Sequence, residues 1–135
     1  MRTLVVEDEN TSARILTQYM SELGEVVVAR NGEEAFNTFC DAFTQGQKFD
    51  LVIMDIMMPE VDGQEALTAI REYEESHGLV QSDTVPIIMA SALDDLGNIH
   101  YSQVAGCTEY LTKPLDKTKL FRVLHRLGLA PSDEA

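Results

Sequence analysis

A chain of 135 residues with 44% apolar and 24% charged side chains fits one domain around one core. The formal charge of −13, from 10 basic against 23 acidic residues, argues against a nucleic-acid surface, since little is available to neutralise phosphates. No apolar run reaches the roughly 18 residues of a membrane span, and Met1-Arg2-Thr3 leads into a strand-like run rather than a signal peptide, so a cytoplasmic protein with no membrane partner is expected. Cys40 and Cys107 have no CxxC spacing and no neighbouring histidine, which makes them reduced, buried thiols without a function. Half of the basic residues, Lys113, Lys117, Lys119, Arg122 and Arg126, fall in one C-terminal segment.

Thr3–Val6 reads as a short buried strand that ends on Glu7-Asp8-Glu9. Asn10 is expected to cap a helix with Leu16, Tyr19, Met20 and Leu23 on one face, stopped by Gly24. A second strand, Glu25–Ala29, precedes the capping box Asn31-Gly32-Glu33-Glu34 and a helix whose Phe36, Phe39, Cys40 and Phe43 form a core stripe. After a turn at residues 45–48, the apolar run Leu51–Met54 delivers Asp55, and Ile56-Met57-Met58-Pro59 cannot simply continue the strand. The box Asp62-Gly63-Gln64-Glu65 opens a third helix with Leu67, Ile70 and Tyr73 inward and Glu72, Glu74 and Glu75 expected on its solvated side.

His77-Gly78 ends that helix, and residues 79–85 form a long polar connection expected to be mobile. Pro86–Ala90 is a fourth strand ending on Ser91, and residues 92–104 are expected to hold a fourth helix, the weakest element because of Gly97 and a sparse apolar stripe. Glu109–Thr112 is a fifth strand ending at Lys113-Pro114, and Asp116 caps a final helix with Leu120, Val123, Leu124 and Leu127 on one face. Residues 1–130 thus form one domain and 131–135 a short polar tail.

Strict alternation of apolar strands and helices calls for a parallel sheet covered on both faces, with ligands beyond the carboxyl ends of its strands. Four strand ends then meet on one rim, carrying Glu7 and Asp8, Asp55, Ser91 and Lys113. A carboxylate that leaves water without partners costs several kcal/mol or shifts its pKa. Three negative charges against one divalent cation and Lys113 sum to zero, and hard oxygen ligands without histidine or thiolate select Mg²⁺ or Mn²⁺. A metal, an ammonium and a hydroxyl around a free carboxylate oxygen suit phosphoryl transfer with Asp55 as nucleophile, giving an acyl phosphate.

Glu7-Asp8 after the first strand, Asp55 in Asp-Ile-Met-Met-Pro followed by Asp62-Gly63, Ser91-Ala92, and Tyr110-Leu-Thr-Lys113-Pro114 together resemble the receiver domain of two-component response regulators, in its stand-alone chemotaxis-regulator-like form. The resemblance runs from Thr3 to about Leu127. It implies a flavodoxin-like, doubly wound α/β fold: a five-stranded parallel sheet of order 2-1-3-4-5 with five helices on its two faces. It implies phosphorylation of Asp55 by a histidine kinase or histidine phosphotransfer protein, with Mg²⁺ held by Asp8, Asp55 and the backbone carbonyl of Met57. Glu7 would act in the acid pocket through a metal-bound water. Glutamate here departs from the family's aspartate and leaves direct ligation open.

The same resemblance gives Ser91 and Lys113 the phosphoryl oxygens and has Pro114 orient Lys113 through a cis bond. It makes Tyr110 a rotameric switch with Ser91, working toward the face of the fourth helix, fifth strand and fifth helix, where a downstream protein partner would dock. Such a protein catalyses its own phosphorylation and dephosphorylation and is not a turnover enzyme. Taken singly, Tyr110 reads as a half-buried tyrosine and Ser91 as a helix cap; their roles rest on the set.

An aspartate-nucleophile phosphohydrolase would place an acid/base two residues after Asp55, where Met57 stands. A flavin module would want a hydroxyl- and glycine-rich phosphate loop in place of Glu7-Asp8-Glu9. A receiver-like interaction module that is never phosphorylated is the third reading. Met57 and Leu93 offer no group to orient attacking water, which predicts slow self-dephosphorylation. His77, His100 and His125 have no ligand spacing.

Overall fold

The computed structural model describes residues 1–56, 63–91 and 106–130, apart from the side chains of Gln81 and Ser91. Strands β1 (Arg2–Val6), β2 (Glu25–Ala29), β3 (Leu51–Asp55), β4 (Ile87–Ser91) and β5 (Glu109–Thr112) alternate with helices α1 (Asn10–Ser21), α2 (Gly32–Thr44), α3 (Gly63–Ser76) and α4 (Lys117–Arg126). The five strands form one sheet of order β2-β1-β3-β4-β5, parallel throughout, as the flavodoxin-like reading requires. The helix expected over residues 92–104 and the tail 131–135 lie outside the described residues. Among the described residues no helix is long and apolar enough to cross a membrane.

Alternation of side chains along the strands divides the interior into two cores. Leu4, Val6, Val52, Met54, Ile87 and Met89 face α2 and α3, where they meet Phe39, Leu67 and Ile70. Val5, Leu51, Ile53 and Ile88 face α1 and α4, against Leu16, Met20, Leu120, Val123 and Leu124. The central strand β3 is buried along its whole length, Asp55 included. The phenylalanines of α2 close on Tyr73 of α3, with edge-on rings of Phe36, Phe39 and Phe43 at 6.0, 6.1 and 5.5 Å.

Local capping follows the sequence at two helices and departs from it at one. Asn31 accepts the Glu34 N–H at 2.8 Å, and Asp116 accepts that of Lys119 at 2.6 Å. At α1 the cap is Glu9, whose carboxylate accepts the Ser12 N–H at 2.6 Å. Asn10 instead accepts a hydrogen bond from Arg30 at 2.6 Å, because its backbone already belongs to the helix. Cys40 and Cys107 are free thiols, half-buried rather than fully buried.

Glu74 corrects the sequence reading more sharply. It lies four residues after Ile70 and seven after Leu67, on the core face of α3 rather than the solvated one, and is 1% exposed. Its carboxylate is satisfied by Arg71 Nη1 at 2.6 Å and by the Val85 N–H at 2.7 Å. That second bond ties down the end of the 79–85 connection, which was expected to be mobile and which also carries a 3₁₀ turn at Gln81–Asp83. Glu74→Ala leaves the Val85 N–H and the Arg71 guanidinium without their partner, and should lower stability by about 3 kcal/mol in denaturant unfolding.

Candidate functional site

Each strand that ends on the rim brings its polar residue there because the apolar register runs out at that point. Val5 pairs with Ile53 and Val6 with Met54, so Glu7 emerges beside Asp55. Asp55 pairs with Ala90, and Ser91 with Thr112, which puts Lys113 just beyond the last pair of the sheet. Glu7 is 1% exposed and Asp55 7%, whereas Asp8 faces solvent. The carboxylates of Glu7, Asp8 and Asp55 bring ligand oxygens within 4.8 Å of one another.

Lys113 sits between two of these acids, its Nζ 3.0 Å from Glu7 Oε1 and 3.4 Å from Asp55 Oδ2. Burial alone would lower the Lys113 ammonium, but the hydrogen bond to Glu7 and the charges of Asp55 and Glu7 outweigh it and hold its pKa above the ordinary lysine value. The group therefore stays charged at neutral pH. Burial pushes the Glu7 carboxyl above the usual glutamate value, the hydrogen bond from Lys113 opposes this, and the charge of Asp55 adds to it. The Lys113–Pro114 peptide is cis.

Two further features support the rim. Gly63 begins α3 against the end of β3: its N–H donates to the Ile56 carbonyl at 3.0 Å, and a Cβ built there would overlap the Asp55 carbonyl oxygen and lie 2.9 Å from Ile56 Cα. In the sequence Gly63 reads as part of a capping box and of the Asp62-Gly63 pair that follows Asp55; its close approach to the β3 backbone emerges only in the fold. Beside the acids, a groove of about 370 Å³ is lined by Glu7, Ser12, Ile15, Leu16, Lys113 and Leu115, with Ile15 38% exposed.

Tyr110 projects from β5 into the core on the α2–α3 side, and its hydroxyl is buried without a hydrogen-bond partner among the described residues. The structure thus brings Glu7, Asp8, Asp55 and Lys113 together and turns Tyr110 inward. The Ser91 side chain, Met57 and Leu93 lie outside the described residues, so their expected parts in the site rest on chain order.

A parallel 2-1-3-4-5 sheet with an acid cluster and a lysine at its carboxyl rim is a doubly wound, flavodoxin-like α/β domain with its polar site beyond the strand ends. The family model of the response regulator receiver domain matches residues 3–125, and the chain belongs to that family. It is 34% identical over 131 residues to hybrid signal transduction histidine kinase G of Dictyostelium discoideum, covering 95% of this chain and 4% of the kinase. It is 37% identical over 120 residues to the probable transcriptional regulator ycf27 of Guillardia theta, covering 88% of this chain and 42% of the regulator. Among solved structures, the CheX–CheY–BeF3–Mg complex of Borrelia burgdorferi superimposes with a TM-score of 0.81 at 26% identity, over 96% of this chain and 90% of that one. The chain thus spans less than half the length of these two curated relatives.

Two outcomes follow from the site's geometry. Gly63→Ala should cost about 1–3 kcal/mol and displace the amide resonances of Ile56 and Ala90, because backbone rather than a flexible side chain must yield. Because the folded-state pKa of Glu7 is raised, its ionisation opposes folding, and that cost is relieved as pH falls toward the raised value, above the usual 4.5. Lys113 acts with the other sign: its contribution is intact through neutral pH and is lost only at strongly alkaline pH. In chelator, the melting temperature of the wild-type protein should therefore gain on that of Glu7→Gln as pH is lowered from neutral toward the usual glutamate value. A gain in the opposite direction would contradict the placement of Glu7.

Proposed function

We propose that this receiver domain accepts a phosphoryl group on Asp55 in a Mg²⁺-dependent reaction and passes the change to a protein partner. The observation that carries the reading is the Lys113 ammonium held between buried Glu7 and Asp55, with Asp8 completing a carboxylate cluster. An Asp55 carboxylate oxygen forms the new O–P bond as the donor's bond to phosphorus breaks, and the electron pair of that bond returns to the donor, for which we infer the imidazole of a histidine kinase or histidine phosphotransfer protein. Lys113 neutralises a phosphoryl oxygen that arrives beside it, and Ser91, by its place at the end of β4, donates a hydrogen bond to another.

The donor set fits a hard divalent cation: three carboxylates within reach of one point, and no histidine or cysteine among them. Asp8 and Asp55, with the Met57 carbonyl, would hold Mg²⁺ or Mn²⁺, and Glu7 would hold it directly or through water. When bound, the ion supplies charge neutralisation at the phosphoryl oxygens. The Borrelia burgdorferi relative, whose complex contains BeF3 and Mg²⁺, supports this chemistry by likeness. The groove at Ile15 and Leu115 offers a phosphodonor protein an apolar footing next to the acceptor.

Tyr110 supports a switch. Its inward ring and buried hydroxyl, unpartnered among the described residues, occupy space beside the core, and exchange with an outward rotamer would alter the face of β5 and α4 where a downstream partner would bind. Residues 1–130 would act as this one signalling unit in the cytoplasm, with 131–135 as a tail. The unit is not a turnover enzyme: a phosphohydrolase would need an acid/base where Met57 stands.

Incubation with acetyl phosphate and Mg²⁺ should add one phosphoryl mass to the intact chain. Asp55→Asn, or chelation of the metal, should abolish it. Absence of the added mass in the wild-type chain, where another receiver labels under the same conditions, would overturn the reading.

A further inference from the structure

Strand β5 lies at the sheet edge, with β4 as its one strand neighbour among the described residues, yet it carries Tyr110 and leads directly into Lys113. Its position therefore depends on what fastens its two ends. The carboxyl end is fastened at the site, where Lys113 meets Glu7 and Asp55. The amino end is fastened on the opposite side of the molecule by a group the phosphoryl chemistry does not use. Arg71 Nε donates to the Gly106 carbonyl at 2.9 Å while its Nη1 bonds Glu74 at 2.6 Å. Glu74 in turn accepts the Val85 N–H, just before β4.

The fit around this contact is close. Gly106 has φ +103, a left-handed value that favours glycine, and a Cβ there would rest 3.4 Å from the Arg71 side chain. Thr108 continues the attachment, its N–H donating to the Ile87 carbonyl at 2.8 Å and its hydroxyl accepting the Ile87 N–H at 2.9 Å. The Arg71 and Glu74 side chains are 18% and 2% exposed, so the pair is shielded from solvent far more than an ordinary helix-surface salt bridge. Glu74 fixes Arg71, Arg71 fixes Gly106, and the start of β5 is thereby held to α3 and to the start of β4.

We propose that Arg71 and Glu74 are a positioning pair for β5: they anchor its amino end so that Tyr110 within the strand and Lys113 just past its carboxyl end keep the register the site needs. A lysine at 71 would keep the charge beside Glu74 and lose the planar fork that reaches Glu74 and Gly106 together. The effect on Lys113 rests on the phosphoacceptor reading; the anchoring of β5 does not.

The test uses Arg71→Lys and Glu74→Gln, chosen because each keeps a polar group at its position. Hydrogen exchange without phosphodonor or metal should rise about tenfold in the peptide spanning 106–113 in both variants, with β1 unchanged, which reports local rather than global opening. Protection of that peptide equal to wild type in the folded variants would overturn the proposal. Labelling by acetyl phosphate with Mg²⁺ then reads the effect on the site. Arg71→Lys should slow it about threefold in the wild-type background and leave the residual rate of Lys113→Met unchanged, a non-additivity that two distant, independent sites do not show. Equal slowing in both backgrounds would overturn the positioning of Lys113. A wild-type chain that never labels would overturn the phosphoacceptor reading and leave the exchange result to decide the anchor.

Discussion

Among the described residues, one ammonium, that of Lys113, stands between the two buried acids at the rim of this sheet. β3 passes through the interior without an exposed residue and ends on Asp55, and Glu7 is more deeply buried still. Two carboxylates withdrawn from water this far would each carry a penalty of several kcal/mol if left alone. Lys113 at 3.0 and 3.4 Å makes the arrangement tolerable, and its pairings with Glu7 and Asp55 together outweigh the burial that would otherwise lower its ammonium. Among the described residues, one positive charge against three carboxylates leaves this cluster negative.

The sheet makes such a site possible at low conformational cost. Parallel strands bring their carboxyl ends to one edge, and pairing of Val6 with Met54 and of Asp55 with Ala90 places acids from distant parts of the chain side by side. Helices on both faces cover the apolar interior of the sheet, so Asp55 ends a fully buried strand while Glu7 and Lys113 follow directly on strand ends. Gly63 completes the mounting by letting α3 approach the Asp55 carbonyl more closely than any side chain would permit.

An edge strand is the natural route by which a change at such a rim could leave it. β5 has one strand neighbour, is only half-buried, and carries both Tyr110 and the approach to Lys113. Couplings of this kind amount to about 1–3 kcal/mol, comparable to one or two hydrogen bonds, so contacts at either end of β5 are large enough to matter. The buried Tyr110 hydroxyl, unpartnered among the described residues, is a cost of similar size held in one rotamer.

Pattern alone sufficed for the five strands, their parallel arrangement and the four polar strand ends, because apolar runs closed by acids, glycine and proline leave few ways to fold. The capping roles of Asn31 and Asp116 were legible for the same reason: each depends on residues three apart. Glu9 displaced Asn10 as the cap of α1 because the boundary lay one residue earlier, and nothing in the residue types separates the two. Glu74 was misplaced although its spacing from Leu67 and Ile70 marked the core face; a carboxylate is assigned to solvent until its partners are known, and these came from Arg71 and from the distant Val85. The sharing of Lys113 between Glu7 and Asp55, the closeness of Gly63 to the Asp55 carbonyl and the inward turn of Tyr110 were decided by tertiary structure. Each is a contact between segments far apart in the chain, where register and packing, not local composition, set the distance.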